Sequence, residues 1–294
     1  MIDVIIPTYN RKAALEKVIG SYLAQEFLST IIIVDDCSTD DTRAWVSALS
    51  KKHPSKIRYH RLKKNVPLPE VRNIGIALAE SEFIFMGEDD VMLPNNHFEI
   101  LLRKLHERNA DIISGRRINL YPNQTLEEAK NIADRDHEPV YVRVPFEAYF
   151  DRFVEQPLPV YVLHSNVLMK RSVAAAVLYD PLYDGNAFRE ETDFFLRAYM
   201  TGFRLWFIPD TLSYHMKNMQ VNAKGGSRKN RFLYEWHVWK NTARLFMHNR
   251  AFFEQELGIR HIRLFLIRCL FARYAYALKR RILYKVNERR YETT

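Results

Sequence analysis

Three carboxylates stand in a row at Glu88-Asp89-Asp90, directly after the apolar run Phe83 to Met86. Like charges that close together cost free energy unless a cation neutralises them. Hard divalent ions such as Mg and Mn take oxygen ligands and keep positions open for phosphate, so carboxylates at a strand end suit a metal-nucleotide complex. An acidic turn ahead of a helix opened by Pro94 would serve equally to complement the helix dipole. Asp35-Asp36 poses a similar choice: a carboxylate that ends a strand can accept a pyrimidine ring N–H or a ribose hydroxyl, or it can cap its own loop. Pro7-Thr8-Tyr9-Asn10 offers an aromatic face that could stack on a base or simply pack.

Such residues act together only if a scaffold gathers them. Apolar runs at Asp3 to Ile6, Ile31 to Val34, Ile57 to Leu62, Phe83 to Met86 and Asp111 to Ser114 predict strands. Between them, helical spacing predicts helices over Arg11 to Gln25, from a Ser38–Asp41 capping box onward, from Pro69, and from Pro94. Regular alternation over 115 residues predicts an α/β fold with a mostly parallel sheet covered on both faces, its functional loops at the carboxyl ends of the strands. Residues 119–139 are polar without a clear period and predict a surface excursion. Tyr161 to Met169 and Phe203 to Phe207 predict strands, Glu190 to Thr201 a helix, and Thr211 to Tyr214 a strand ending at His215.

The motifs Pro7-Thr8-Tyr9-Asn10-Arg11, Val34-Asp35-Asp36, Val71-Arg72-Asn73 and Gly87-Glu88-Asp89-Asp90 fall in order at consecutive strand-helix units. The set resembles glycosyltransferase family 2, inverting, metal-dependent sugar transferases of the Rossmann-like GT-A fold, over roughly residues 1 to 215. The resemblance implies that Tyr9 packs on the nucleotide base with Pro7 beside it, that Asp36 contacts the base, and that Arg72 reaches the base or diphosphate. It implies Asp89 for ribose and Asp90 for a divalent metal, Mn or Mg. Glu88 departs from the three-aspartate form of the motif, and Val71 replaces the usual alanine. Glu190-Glu191-Thr192-Asp193, with Arg197 and Gly202, is similar to the family's acceptor-side segment. Direct displacement needs one carboxylate near the acceptor hydroxyl. Glu191 matches the family's base, with Glu190 and Asp193 in reserve; without the upstream motifs this would read as an acidic first turn of a helix. His215 resembles a histidine that approaches the metal or diphosphate.

The implied activity is transfer of a sugar from a nucleotide donor, UDP first and dTDP or GDP next, to a hydroxyl of a glycan or lipid-linked saccharide. A sugar-phosphate nucleotidyltransferase would want a glycine-rich loop after the first strand, and Pro7 to Lys12 holds no glycine. A noncatalytic scaffold would not need intact Asp89, Asp90 and Glu191. Fingerprints for dinucleotides and for ATP hydrolysis are missing.

Lys and Arg number 44 against 35 Asp and Glu, yet positions 1–230 hold 30 of each sign and the stretch from Arg231 to Thr294 holds 14 basic and 5 acidic residues. This asymmetry divides the chain into a catalytic domain at 1–216 (a nucleotide-binding half, 1–115, and an acceptor half, 116–216), a basic loop at 217–230, and a basic, aromatic helical segment at 231–294. Lys217, Lys224 and Arg228 in the loop could fold over a diphosphate, or the loop could be a solvated linker. In the last segment Phe232, Trp236, Trp239, Ala243 and Phe246 predict one helical stripe, and Ile262 to Leu278 is apolar with interspersed arginines. Such helices suit an anionic membrane surface or packing against the body or a second copy, as in a homodimer. Nucleic acid is the poorest fit, since the charge lies outside the body and no base-reading motif accompanies it. Two widely spaced cysteines, an N-terminus with Asp3 and Pro7 in place of an apolar leader, and the lack of a bilayer-length apolar run point to the cytoplasm, with peripheral contact on the inner face of the cell membrane.

Overall fold

In the computed structural model, which describes residues 1–216 and 230–275, apolar runs too short for helices become buried strands. β1 (Ile2–Thr8), β2 (Leu28–Asp35), β3 (Ile57–Arg61) and β4 (Phe83–Met86) alternate with α1 (Lys12–Leu23), α2 (Thr42–Lys52) and α3 (Leu68–Leu78). All four strands are parallel, in the order β3-β2-β1-β4. The register pairs Thr8 with Asp35 and Ile5 with Met86, so the Tyr9, Asp36 and Glu88–Asp90 segments leave the sheet at one edge. Helix α3 lies close beneath it: a Cβ on Gly75 would stand 2.3 Å from Ile5, so no larger residue fits without displacing the helix.

The second half is mixed. β5 (Val91–Met92), α4 (His97–Glu107), β6 (Ile112–Leu120), α5 (Leu126–Ala133), the short pair β7 (Tyr141–Val142) and β8 (Glu147–Ala148), β9 (Leu158–Val160), β10 (Leu168–Lys170), α6 (Arg171–Ala176), α7 (Glu190–Met200) and β11 (Leu205–Met216) complete the body. β10 is antiparallel to both β4 and β6, while β6 and β11 run parallel. The pleat sends alternate residues to opposite cores. Val4 and Ile6 meet Leu15 and Phe98 of α1 and α4 on one side, and Ile5 meets Val71 of α3 on the other. Each fully buried side chain of this size is worth roughly 1.5–3 kcal/mol, which is what binds the helices to the sheet.

Several boundaries differ from expectation. Ser38 does not cap α2: its hydroxyl accepts the Asn10 N–H (2.9 Å), and the helix starts at Thr42. The helix expected from Pro94 begins at His97, because Val91-Met92 first pairs with β11. The expected strand from Tyr161 to Met169 exists only at its end, as β10. His164, Ser165 and Asn166 turn inward instead, to Gly115 O, Glu88 and Met86 O. The excursion at 119–139 contains α5, capped by Thr125 and Glu128 in a reciprocal capping box.

α8 (Arg231–His248), α9 (Arg250–Gln255) and a helical stretch at 262–275, here α10, follow. The stripe expected on α8 is buried only at Phe246 and becomes exposed toward Phe232; the buried face is Val238, Asn241, Thr242, Leu245 and Phe246. Phe246, Phe252, Phe253 and Phe265 join the core shared with α7. The expected basic loop, with Lys217, Lys224 and Arg228, lies outside the described residues except for Asn230, which caps α8.

Candidate active site

The acidic turn after β4 is held by cations and hydroxyls from four elements. Thr8 Oγ1 donates to Asp89 (2.8 Å), and Arg11 reaches Asp89 through Nε (2.8 Å) and Asp90 through its terminal nitrogen. Nε2 of His215, on β11, lies 3.5 Å from Asp90. Burial pushes the Asp89 carboxyl up to about 7 against the pull of Arg11. Burial opposes ionisation of Asp90 too, but the His215 hydrogen bond and the Arg11 charge outweigh it and hold that carboxyl down at about 2. Burial also lowers His215, leaving a neutral imidazole.

Glu88 faces away from this pair. It accepts from Ser165 (2.6 Å) and pairs with Arg117 on β6 (2.8 Å); burial opposes its ionisation, but Arg117 together with His215 and Arg72 lowers its pKa. Arg117, Ser165 and Arg11 did not stand out as a group in the sequence. Arg11 lies within the first motif, but Arg117 and Ser165 carry no local pattern, since β6 runs past its expected end.

The Asp36 corner is built by turns. Asn10 and Cys37 both adopt left-handed backbone, and the Asn10 carboxamide oxygen accepts from Thr39 N (2.7 Å), tying the β1 and β2 loops together. Asp36 N donates to Thr8 O (2.9 Å), which sets Asp36 beside the end of β1, where Thr8 is buried and Pro7 and Tyr9 are half-buried. The Asp36 carboxylate accepts Val66 N (2.9 Å) and the Asn65 amide, and burial raises it to about 6. Asp35 is a loop anchor, bonded to Ser38 N (2.8 Å) and Tyr59 (2.6 Å).

Arg72 is turned inward. Its Nε and a terminal nitrogen lie 2.9 Å from Glu190 and from Glu191, and its guanidinium sits over the Tyr179 ring. The side chains of Arg72 and Glu190 are each 3% exposed, whereas Glu191 is 29% exposed. Burial raises both glutamates, Glu190 to about 8. Ser165 accepts from Arg117 (2.9 Å) as it donates to Glu88, which ties the loop before β10 to β6 and the acidic turn. Glu191 opens on a cleft of about 170 Å³ lined by Tyr141, Phe146, Phe150, His164 and Arg189 among others.

Asp193 does not line that cleft. It is fully buried, and its carboxylate takes Tyr183 (3.1 Å), Arg197 (2.7 Å) and Asn249 (2.7 Å) as structural partners. Asp180, Asp193 and His248 come within metal-ligand distance of one another, but Arg244 and Arg197 already neutralise the carboxylates. Gly185, at φ +68°, lets the loop before α7 pass the His237 ring of α8, where a Cβ would stand 2.3 Å from it.

The sequence is 34% identical over 119 residues to the poly(ribitol-phosphate) beta-N-acetylglucosaminyltransferase TarP of Staphylococcus aureus, covering 39% of this chain and 36% of the relative. It is 32% identical over 139 residues to the GalNAc(5)-diNAcBac-PP-undecaprenol beta-1,3-glucosyltransferase of Campylobacter jejuni, covering 47% and 45%. The matches thus span less than half the length of these relatives. The fold is similar to the crystal structure of S. aureus TarS 1-349 (TM-score 0.61, 15% identity, 94% of this chain and 72% of that one). It is also similar to that of GalNAc-T7 with UDP, GalNAc and Mn2+ (TM-score 0.61, 14% identity, 74% and 44%). These likenesses identify the sheet and its flanking helices as the GT-A fold. The model of glycosyl transferase family 2 matches residues 3–178, more than half of the sequence and all four motif-bearing units, and the chain therefore belongs to glycosyltransferase family 2.

Proposed function

We propose that the protein transfers a sugar, with inversion, from a UDP-sugar to a hydroxyl of a glycan or lipid-linked saccharide. The observation that carries this reading is the pair of separate carboxylate centres at one sheet edge. Asp89 and Asp90 form a cation-seeking centre, and Glu191 opens on a cleft while held by Arg72. The S. aureus and C. jejuni relatives are named for transfer of N-acetylglucosamine and glucose, and one similar structure contains UDP and Mn2+.

The residues fit a divalent metal. Asp90 is ionised and neutral His215 sets a ring nitrogen 3.5 Å from it, while Arg11, which pairs with both carboxylates, would yield them to the ion. Asp90 and His215 would hold Mn or Mg, which when bound offsets the negative charge of a diphosphate leaving group. Pro7, Tyr9 and Asp36 form the base corner, and Asp89 faces the ribose. Arg72 acts through Glu191 rather than on the nucleotide, because both of its carboxylate partners lie on α7. The acceptor oxygen attacks the anomeric carbon as the bond from that carbon to the diphosphate oxygen breaks. The hydroxyl proton passes to the Glu191 carboxylate, whose raised pKa makes it a stronger base than an ordinary glutamate. Arg72 fixes that carboxylate, and the aromatic lining of the cleft keeps water from competing.

The test is incubation with UDP-, dTDP- and GDP-sugars in Mn, following nucleoside diphosphate release and the anomeric configuration of the product by NMR. Release from a UDP-sugar with a β product from an α donor supports the proposal. Retained configuration, or no release from any donor, refutes it.

A further inference from the structure

Helices α8 and α10 each carry a second apolar face that the core does not use. On α10, Leu264, Ile267, Phe271 and Tyr274 follow one another at intervals of three and four and so form one stripe. Leu264 and Phe271 are 62% and 67% exposed, while Phe265, Cys269 and Leu270 of the same helix are buried. On α8, Phe232 and Trp236 are 84% and 58% exposed. The stripes meet where Trp239 Nε1 donates to the Tyr274 hydroxyl (2.7 Å), making one continuous surface. A contiguous aromatic patch of this kind marks an interaction site.

Its chemistry specifies the partner. No acidic residue stands between Glu256 and Glu288, an interval holding eight lysines and arginines, and Arg260, Arg263 and Arg268 are exposed on or just before α10. A two-fold contact with another copy would bring these like charges together. Tryptophan and tyrosine favour the depth of lipid headgroups, and arginine stems reach from an apolar face to phosphate. Among the described residues no helix is long and apolar enough to cross a membrane.

We propose that the outer face of α8 and α10 docks on the surface of an anionic lipid bilayer. The helices lie in the interface plane, with Trp236, Leu264 and Phe271 entering the headgroup region and Arg263 and Arg268 against lipid phosphates. This attachment holds whatever donor the active site takes.

The experiment is flotation of the full chain with phosphatidylcholine vesicles, with and without phosphatidylglycerol. Binding is expected to the anionic vesicles and to weaken with salt. Arg263→Gln and Arg268→Gln are each expected to weaken it about fivefold, and Phe271→Ser about tenfold or more. The substituted groups are exposed, so thermal unfolding should not change. Failure to float with anionic vesicles, equal binding to neutral ones, or dissociation of a lipid-free dimer by the same substitutions in sedimentation velocity would overturn the proposal.

Discussion

Replacing Arg72 with methionine removes the guanidinium that pairs with buried Glu190 and half-buried Glu191. Arg72 and Glu190 are each 3% exposed at the side chain, so Arg72→Met strands Glu190 without a cation or a solvent shell. Breaking a buried pair from one side costs about 3–5 kcal/mol. Burial raises Glu190 to about 8 even against the pull of Arg72, so without the guanidinium its carboxyl is held still more firmly in the neutral form at pH 7. That places the expected loss at the lower end, about 3 kcal/mol. In Arg72→Met/Glu190→Met both partners become apolar, and stability should return to within about 2 kcal/mol of the parent. The double variant nevertheless leaves Glu191 without its 2.9 Å anchor, and a base misplaced by about 1 Å costs on the order of 100-fold in turnover. Urea unfolding followed by circular dichroism measures the first two quantities, and transfer kinetics the third. An Arg72→Met protein within about 1 kcal/mol of the parent, or a double variant at full turnover, would refute this reasoning.

Further outcomes follow from the same geometry. Glu191→Gln should keep nucleotide binding and lose transfer by at least about 100-fold, as separate binding and turnover assays will tell. The turnover of the parent should fall on the acid side from a pKa above that of an ordinary glutamate, because a base with a raised pKa is protonated below it. Glu190→Gln should leave that limb in place, because a carboxyl raised to about 8 already holds its proton on the acid side, and a pH–kcat profile that moves contradicts this reading. Burial holds His97 down at about 3, far below an unfolded value near 6.5, so the folded state stays neutral while the unfolded state gains a proton as pH falls. Its contribution is fully present above pH 6.5 and lost below it. The stability difference between the parent and His97→Gln should therefore shrink by about 2 kcal/mol from pH 8 to pH 5 in urea melts.

Much of the nucleotide half was legible because its strands are buried on both faces and so appear as continuous apolar runs, as at Ile31 to Val34 and Phe83 to Met86. The acceptor half was less so. The run from Tyr161 to Met169 looks strand-like, but its central polar residues satisfy Gly115, Glu88 and Met86, groups brought near only by the fold. Helix α5 escaped notice at eight residues, although Thr125-x-x-Glu128 is a capping signal. At the site, motif order singled out Asp89, Asp90, Glu191 and Arg72 as candidates. It did not reveal that Arg72 turns to α7, since that contact joins residues 118 positions apart. Motif position preferred Glu191 to Asp193 two positions on but could not show how differently the two are buried. Their different exposure depends on α9, whose preceding Asn249 takes the Asp193 carboxylate. The α8 stripe misled for a related reason: one helix serves the core with one face and presents another outward.

The central claim is a metal-dependent nucleotide site at Asp89 and Asp90, and calorimetric titration of UDP, with and without Mn, tests it without knowledge of the acceptor. Binding that needs Mn and disappears in Asp90→Ala while the variant stays folded is the predicted result. UDP binding of equal strength without Mn, binding that survives Asp90→Ala, or no binding in any combination would contradict it.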